Sequence, residues 1–274
     1  MRTRFAPTPS GYLHRGNLLN AAITSRLASE MDGELVLRID SDDDDRCRPE
    51  FTEYIFRALH ELGITWHSGP GTFDEFAGID RAARKEYLRS QLTLIPPDLT
   101  FACSCTRSSL LTFACECRGK DLPLSTGQTS LRLYVDPAVM VDLDERRLPL
   151  RNALGDPVLW RRDDSPAYHW ANVIDDRDLG TTHVVRGEDL LSSSALHRHL
   201  AAAIGAGSIA NAVYLHHALV RNEAGEKLSK RAQPTQQPLP LDADEITRIH
   251  ELAAALAAEL QRDDATHRAE GPAT

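Results

Sequence analysis

Hydrophobic positions switch between two periods along the first hundred residues, and the switching predicts the architecture. "TRFAP" reads as a short strand. After a turn, "NLLNAAITSRLASEM" places Leu18, Leu19, Ala22, Ile23 and Leu27 at the three- and four-residue spacing of a helix face. "ELVLRI" is an apolar run broken only by Glu34 and Arg38, the pattern of a parallel strand buried on both faces. "RPEFTEYIFRALHELG" predicts a second helix, with Pro49 in its first turn and Gly63 at its end, and "RAARKEYLRSQLTLI" a third. Strand and helix in alternation point to a doubly wound parallel sheet.

Beyond Pro96 and Pro97 the texture changes. Short strands such as "SLRLYV", many turn residues and four of the five cysteines mark residues 98–165 as an insertion between two halves of the sheet. The α/β pattern returns with "YHWANVIDD", the strand "THVVRG", the helix "SSSALHRHLAAAIG" and the strand "VYLHHALV". "QPTQQPLPL" is expected to be an irregular connector. Ile246, Ile249, Leu252, Leu256 and Leu260 then define one face of an amphipathic helix, and the last stretch, "RDDATHRAEGPAT", is expected to be disordered. The predicted division is 1–97, first half of a Rossmann-type catalytic domain; 98–165, inserted subdomain; 166–236, second half; and 237–274, a short C-terminal helix and tail.

A length of 274 residues with 42% hydrophobic and 26% charged positions suits one sizeable core with an inserted subdomain. The net charge of -9 excludes indiscriminate nucleic-acid binding, while Arg2, Arg4, Arg15 and Arg38 leave room for a local basic groove. No apolar run approaches the ~20 residues of a membrane span. A cytoplasmic protein with reduced cysteines and no membrane partner is expected.

Two stretches carry phosphate chemistry. In "FAPTPSGYLHRGN", Pro7 and Pro9 stiffen a turn that runs through glycine into a helix start, as an anion site requires. In "GEKLSKR", Lys227 and Lys230 flank Ser229 and offer two mobile ammonium groups for the charge that spreads in phosphoryl chemistry. Taken singly, His14 reads as a helix cap, Gly16 as a packing glycine and the lysine pair as a solvated helix face. The cysteines read C-x-C, nine residues, C-x-C. Cys103, Cys105, Cys115 and Cys117 can close a tetrahedral zinc site or pack as four reduced thiols.

Together these stretches resemble the class I aminoacyl-tRNA synthetases. His14-Arg15-Gly16-Asn17 stands as the "HIGH" signature and Lys227-Leu228-Ser229-Lys230-Arg231 as "KMSKS". "RFAPTPSG", "LRID" and "YHWANVIDD" followed by "HVVRGEDL" resemble the glutamyl branch in order and spacing, over residues 2 to about 231. The resemblance implies an α/β fold, a class I synthetase Rossmann-type parallel sheet with an inserted zinc-bearing subdomain and no anticodon-binding domain. It implies ATP with Mg2+, held by Pro7, His14, Gly16, Asn17, Lys227, Ser229 and Lys230, with His14, Gly16, Asn17, Lys227 and Lys230 catalytic. It implies a glutamate pocket of Arg4, Ala6, Thr8, Asp40, Tyr168, Asn172 and Arg186. Two arginines suit a substrate with two carboxylates, and a carboxylate at position 40 suits its ammonium. The bland alternatives are structural ion pairs for Arg4 and Arg186 and core packing for Tyr168. Zinc on the four cysteines would shape the acceptor-binding insertion.

Two positions depart from the family pattern. Asp40 stands where glutamate is usual, so the ammonium contact is remade or bridged by water. Arg15 stands where an apolar residue is common, and either touches phosphate or points outward. Without a helical anticodon-reading region, the chain resembles the shortened branch of the family. Those members activate glutamate without tRNA and place it on queuosine in the anticodon loop of tRNA(Asp), and a monomer is expected. An adenylating enzyme with a non-tRNA acceptor and a non-catalytic binding protein of the same fold are the alternatives.

Overall fold

A computed structural model describes residues 1–41, 47–106, 108–111, 115–143, 146–219 and 237–270. The first part of the chain forms β1 (Arg2–Phe5), α1 (Arg15–Glu30), β2 (Glu34–Leu37), α2 (Pro49–Glu61), α3 (Phe73–Ala77) and α4 (Arg81–Ser90). The middle forms β3 (Thr100–Cys103), β4 (Ser130–Leu133), β5 (Met140–Leu143), β6 (Arg146–Pro149), α5 (Leu150–Leu154) and β7 (Val158–Trp160). The rest forms α6 (Tyr168–Asp178), β8 (His183–Gly187), α7 (Leu191–Ala203), α8 (Gly207–Ala210), β9 (Val213–His217) and α9 (Ala243–Glu270). They fall into two compact units, Met1–Ile79 with Thr181–Leu191 and Val213–Thr274, and Asp80–Gly180 with Ser192–Ala212.

The first unit is the expected parallel α/β arrangement. β1 pairs with β2 and β8 with β9, both in parallel. The Thr182 amide donates to the Arg2 carbonyl (2.9 Å), which sets the start of β8 beside β1. On the far side of β2, the His67 and Leu37 amides donate to Leu35 and Ser68 carbonyls. Gly69 lies so close to β2 there, at φ 103, that a Cβ would stand 2.0 Å from the Leu37 carbonyl oxygen. Only glycine fits.

α1 buries Leu18, Leu19, Ile23 and Leu27 almost completely, each worth roughly 1.5–3 kcal/mol of transfer free energy. It packs against α9. The buried face of α9 is Ile249, Ala253, Ala257 and Leu260, whereas Leu252, expected on that face, is 40% exposed. The two alanines let the helices approach closely, so the contact centres on small residues that a hydropathy pattern underweights. A second correction concerns the tail. α9 runs to Glu270, through residues expected to be disordered, because no glycine or proline interrupts the sequence before Gly271.

The second unit holds a three-stranded antiparallel sheet in the order β3-β4-β7 and a β5-β6 hairpin, together with α4, α6, α8 and most of α7. A belt of ion pairs joins its helices: Arg84 meets Asp175 (2.5 Å), and Tyr87 donates to Asp178 (2.7 Å). Asp164, in a left-handed conformation at φ 61, accepts from Trp160 Nε1 (3.1 Å), from Lys85 Nζ (2.9 Å) and from Arg89.

The hydrogen bond from Lys85, then that from Trp160, holds the Asp164 carboxyl below its usual range. Its stabilisation is present above the unfolded carboxyl pKa and is lost as pH falls through the lower folded one. Asp164→Asn is expected to cost roughly 1–2 kcal/mol at neutral pH. In thermal melts the gap from the parent should narrow as pH falls below the unfolded carboxyl pKa and through the lower folded one, where both side chains become neutral.

Candidate active site

The turn after β1 is braced before it reaches α1. Arg38 and Asp40 amides donate to Phe5 and Pro7 carbonyls (both 3.0 Å), continuing the β1-β2 register past the strands, and the Arg48 amide donates to the Pro9 carbonyl (3.4 Å). Pro7 and Pro9 are buried. Tyr12 meets Phe51 and Tyr54 edge-on at 5.0 and 5.2 Å, and Leu13 is buried beneath the turn. The chain therefore arrives at α1 along a fixed path.

His14 is the N-cap of α1. Its Nδ1 accepts from the Asn17 amide (3.3 Å), and Asn17 Oδ1 accepts from the His14 amide (3.3 Å). This is a capping box built from histidine and asparagine. With Nδ1 an acceptor, the neutral ring carries its proton on Nε2, which becomes a donor. A Cβ on Gly16 would stand 3.0 Å from His14 Cε1 and 3.1 Å from Nδ1, so Gly16 makes room for this ring. A helix start leaves its first amides outside the intrahelical ladder, and its positive end favours an anion.

β1 and β2 run parallel, so their carboxyl ends share one edge, as those of β8 and β9 do, the usual ligand side of parallel strands. Arg4 lies near the end of β1 and Arg186 near that of β8, buried to 3% and 5% exposure. Ala6 and Thr8 follow β1, and Asp40 follows β2. Arg38, which the sequence reading passed over as a site residue, grips Asp40 through Nε–Oδ1 (2.6 Å) and Nη2–Oδ2 (3.2 Å). Each carboxylate oxygen keeps a second lone pair for an ammonium. At the end of β9, His217 Nε2 lies 3.1 Å from Asn20 Nδ2, and burial lowers its pKa.

The arginines near the N-terminus do not form a bare basic surface. Arg2 pairs with Glu34 (2.5 Å) and Arg38 with Asp40. Arg15, expected to touch phosphate or point outward, instead forks onto Glu245 of α9 (Nε–Oε1 2.5 Å, Nη2–Oε2 2.8 Å). No local sequence signal links residues 230 positions apart.

In the second unit, Asn172 is buried on α6, whereas Tyr168 is 42% exposed and is no core residue. Its ring meets those of His169 and His197 at 5.1 and 5.6 Å. Lys227, Ser229 and Lys230 lie outside the described residues.

The four cysteines converge, with their Sγ atoms all within 4.8 Å of one another. Cys103–Cys115, Cys105–Cys115 and Cys105–Cys117 are 3.6, 3.9 and 3.7 Å apart, and none is in a disulfide. Metal–sulfur bonds of 2.3 Å in a tetrahedron put sulfurs about 3.8 Å apart, so the donor set fits a thiolate-bound ion. Burial and neighbouring thiols push Cys105 up to about 12. Burial would raise Cys117 too, but hydrogen bonds from the Ser104 backbone and hydroxyl outweigh it and bring the thiol to about 6.

Parallel strands, one pair leading to a capped helix start, and buried arginines near strand ends define an α/β protein with the elements of an anion-binding site. The profile of tRNA synthetases class I (E and Q), catalytic domain, matches residues 1–113 and 116–248. The chain belongs to that family. It is 31% identical to a glutamyl-Q tRNA(Asp) synthetase of Rhodobacter capsulatus over 84% of this chain and 91% of that one. To the protein of the same name from Methylococcus capsulatus it is 35% identical, over 87% and 79% of the two chains. A glutamate tRNA ligase from Elizabethkingia meningosepticum, solved in complex with its amino acid, superposes with a TM-score of 0.66 at 27% identity. The match covers 87% of this chain and about half (54%) of that ligase. Among the described residues no helix is long and apolar enough to cross a membrane.

The reciprocal cap predicts a measurable loss. Asn17→Ala should cost about 1 kcal/mol, read as a drop of a few degrees in melting temperature. Asn17→Asp, which keeps the acceptor, should recover most of it.

Proposed function

We propose that the protein activates glutamate with ATP and transfers it to queuosine in the anticodon of tRNA(Asp). In the first step the α-carboxylate of glutamate attacks the α-phosphorus of ATP, forming glutamyl-adenylate and expelling pyrophosphate. In the second a queuosine hydroxyl attacks the acyl carbon, loses its proton to solvent, and AMP departs. One observation carries this function. Arg4 and Asp40 stand at the carboxyl end of the β1-β2 pair that leads to the His14-capped helix start, and Arg186 stands near the carboxyl end of β8, in a chain 31% and 35% identical to two glutamyl-Q tRNA(Asp) synthetases.

The residues divide the work. His14 donates from Nε2 to an ATP phosphate, with the positive end of α1 behind it. Asn17 holds the tautomer, Gly16 leaves the ring its place, and Pro7 stiffens the approach. Lys227 and Lys230, with Ser229 between them, stabilise charge as pyrophosphate leaves. Mg2+ bound with ATP neutralises phosphate charge. Arg4 and Arg186 pair with the two substrate carboxylates, and Asp40, oriented by Arg38, takes the ammonium through water. Ala6, Thr8, Tyr168 and Asn172 complete the glutamate contacts on the strength of the family resemblance. A single-stranded loop with splayed bases is a target that a protein can read at base edges. Cys103, Cys105, Cys115 and Cys117 hold a structural Zn2+ that ties their loops together.

Pyrophosphate exchange with the purified protein should depend on glutamate and need no tRNA. Lys230→Ala should slow it on the order of 10²-fold. An anticodon stem-loop carrying queuosine should accept labelled glutamate, and the same stem-loop with guanosine should not. Exchange driven better by aspartate would refute the amino-acid assignment. Label on the 3′ end of intact tRNA would mark a conventional glutamate ligase, and label on neither RNA a different acceptor.

Elemental analysis of protein purified without chelator should find about one zinc per chain. Cys105→Ser should lower thermal stability more than it alters ATP affinity. Absence of zinc would leave four packed thiols as the correct description.

A further inference from the structure

We propose that Glu245 is a positioning residue that holds the Arg15 guanidinium away from the phosphates of ATP. This rests on the proposed function only in taking the start of α1 as the phosphate site. Arg15 is the first residue of α1, directly after the His14 cap. A guanidinium there is a strong phosphate ligand by default, because its planar fork matches phosphate oxygens and the helix end already favours anions. Instead the Nε–Nη2 side of its fork is engaged by one carboxylate.

Glu245 is built to keep that grip. It is buried to 7% exposure, while the Arg15 side chain remains one-third exposed. Its amide is capped by Asp242 Oδ1 (2.8 Å), and its carboxylate also accepts from Arg248 Nη1 (3.2 Å). Removing one partner of such a buried, doubly hydrogen-bonded ion pair is costly. Glu245 also lies in the first turn of α9, where a negative charge is favoured, and α1 has no acidic residue in its own first turn.

The consequence is kinetic. A free guanidinium at this point would bind ATP in the ground state as well as in the transition state. Such uniform binding lowers KM without speeding the chemistry and slows release of pyrophosphate. Held by Glu245, the cation leaves phosphate recognition to His14 and the helix end.

The test is ATP affinity by calorimetry on the full chain, with pyrophosphate-exchange kinetics beside it. Glu245→Gln keeps the shape and removes the charge. It should tighten ATP binding by about five- to tenfold and lower both KM for ATP and kcat. The double variant Glu245→Gln with Arg15→Leu should lose that gain and match the ATP affinity of Arg15→Leu alone within about twofold. A purely structural pair would lower the melting temperature without tightening ATP binding. Unchanged or weaker ATP binding in Glu245→Gln, or a gain that survives Arg15→Leu, overturns the proposal. The calorimetric result does not depend on the amino acid or the acceptor, so failure of glutamate-dependent exchange would count against the proposed function and not against this one.

Discussion

The parallel pairing of β1 with β2, carried past the strands by two further backbone hydrogen bonds and braced by a third, is the constraint on which the site depends. Those bonds tie Phe5 to Arg38, Pro7 to Asp40 and Pro9 to Arg48. They bring two loops distant in sequence into register at one edge of the sheet. Arg4, Ala6, Thr8 and Asp40 inherit their places from that register. So does His14, because the braced prolines and the Tyr12 aromatic contacts deliver the chain to α1 along one path. Arg186 stands likewise near the carboxyl end of β8, which pairs in parallel with β9.

The helix start illustrates how one residue's chemistry depends on its neighbours. A histidine cap alone would have an undefined tautomer. Asn17 decides it by donating its amide to Nδ1, and Gly16 allows it by having no Cβ to displace the ring. Arg15, the remaining residue of the four, is neutralised from 230 positions away. Arg15 meets that partner because α9 packs on α1.

The cysteine cluster belongs to a different level of organisation. Its C-x-C pairs sit at the end of β3 and in the segment leading to β4, and the hydrogen-bond accommodation of Cys117 by Ser104 is local. Three of their sulfur separations, 3.6–3.9 Å, fit a metal ion held tetrahedrally by thiolates. The spacing alone left simple packing of four thiols as the alternative.

By itself the sequence determined the alternation of strands and helices, the phosphate turn, the cysteine pairs and the family. Each is encoded within a dozen residues as periodicity, turn chemistry or an ordered motif. It also pointed to Arg4, Asp40 and Arg186. What only the tertiary structure decided is how those groups are held. Arg38 turned inward onto Asp40, Glu245 captured Arg15, Tyr168 was left exposed, and Leu252 yielded the α9 contact to Ala253 and Ala257. The reason is physical: a charged side chain takes the nearest opposite charge in space, and a helix face is chosen by how closely its partner can approach. Neither distance is written in the local order of residues.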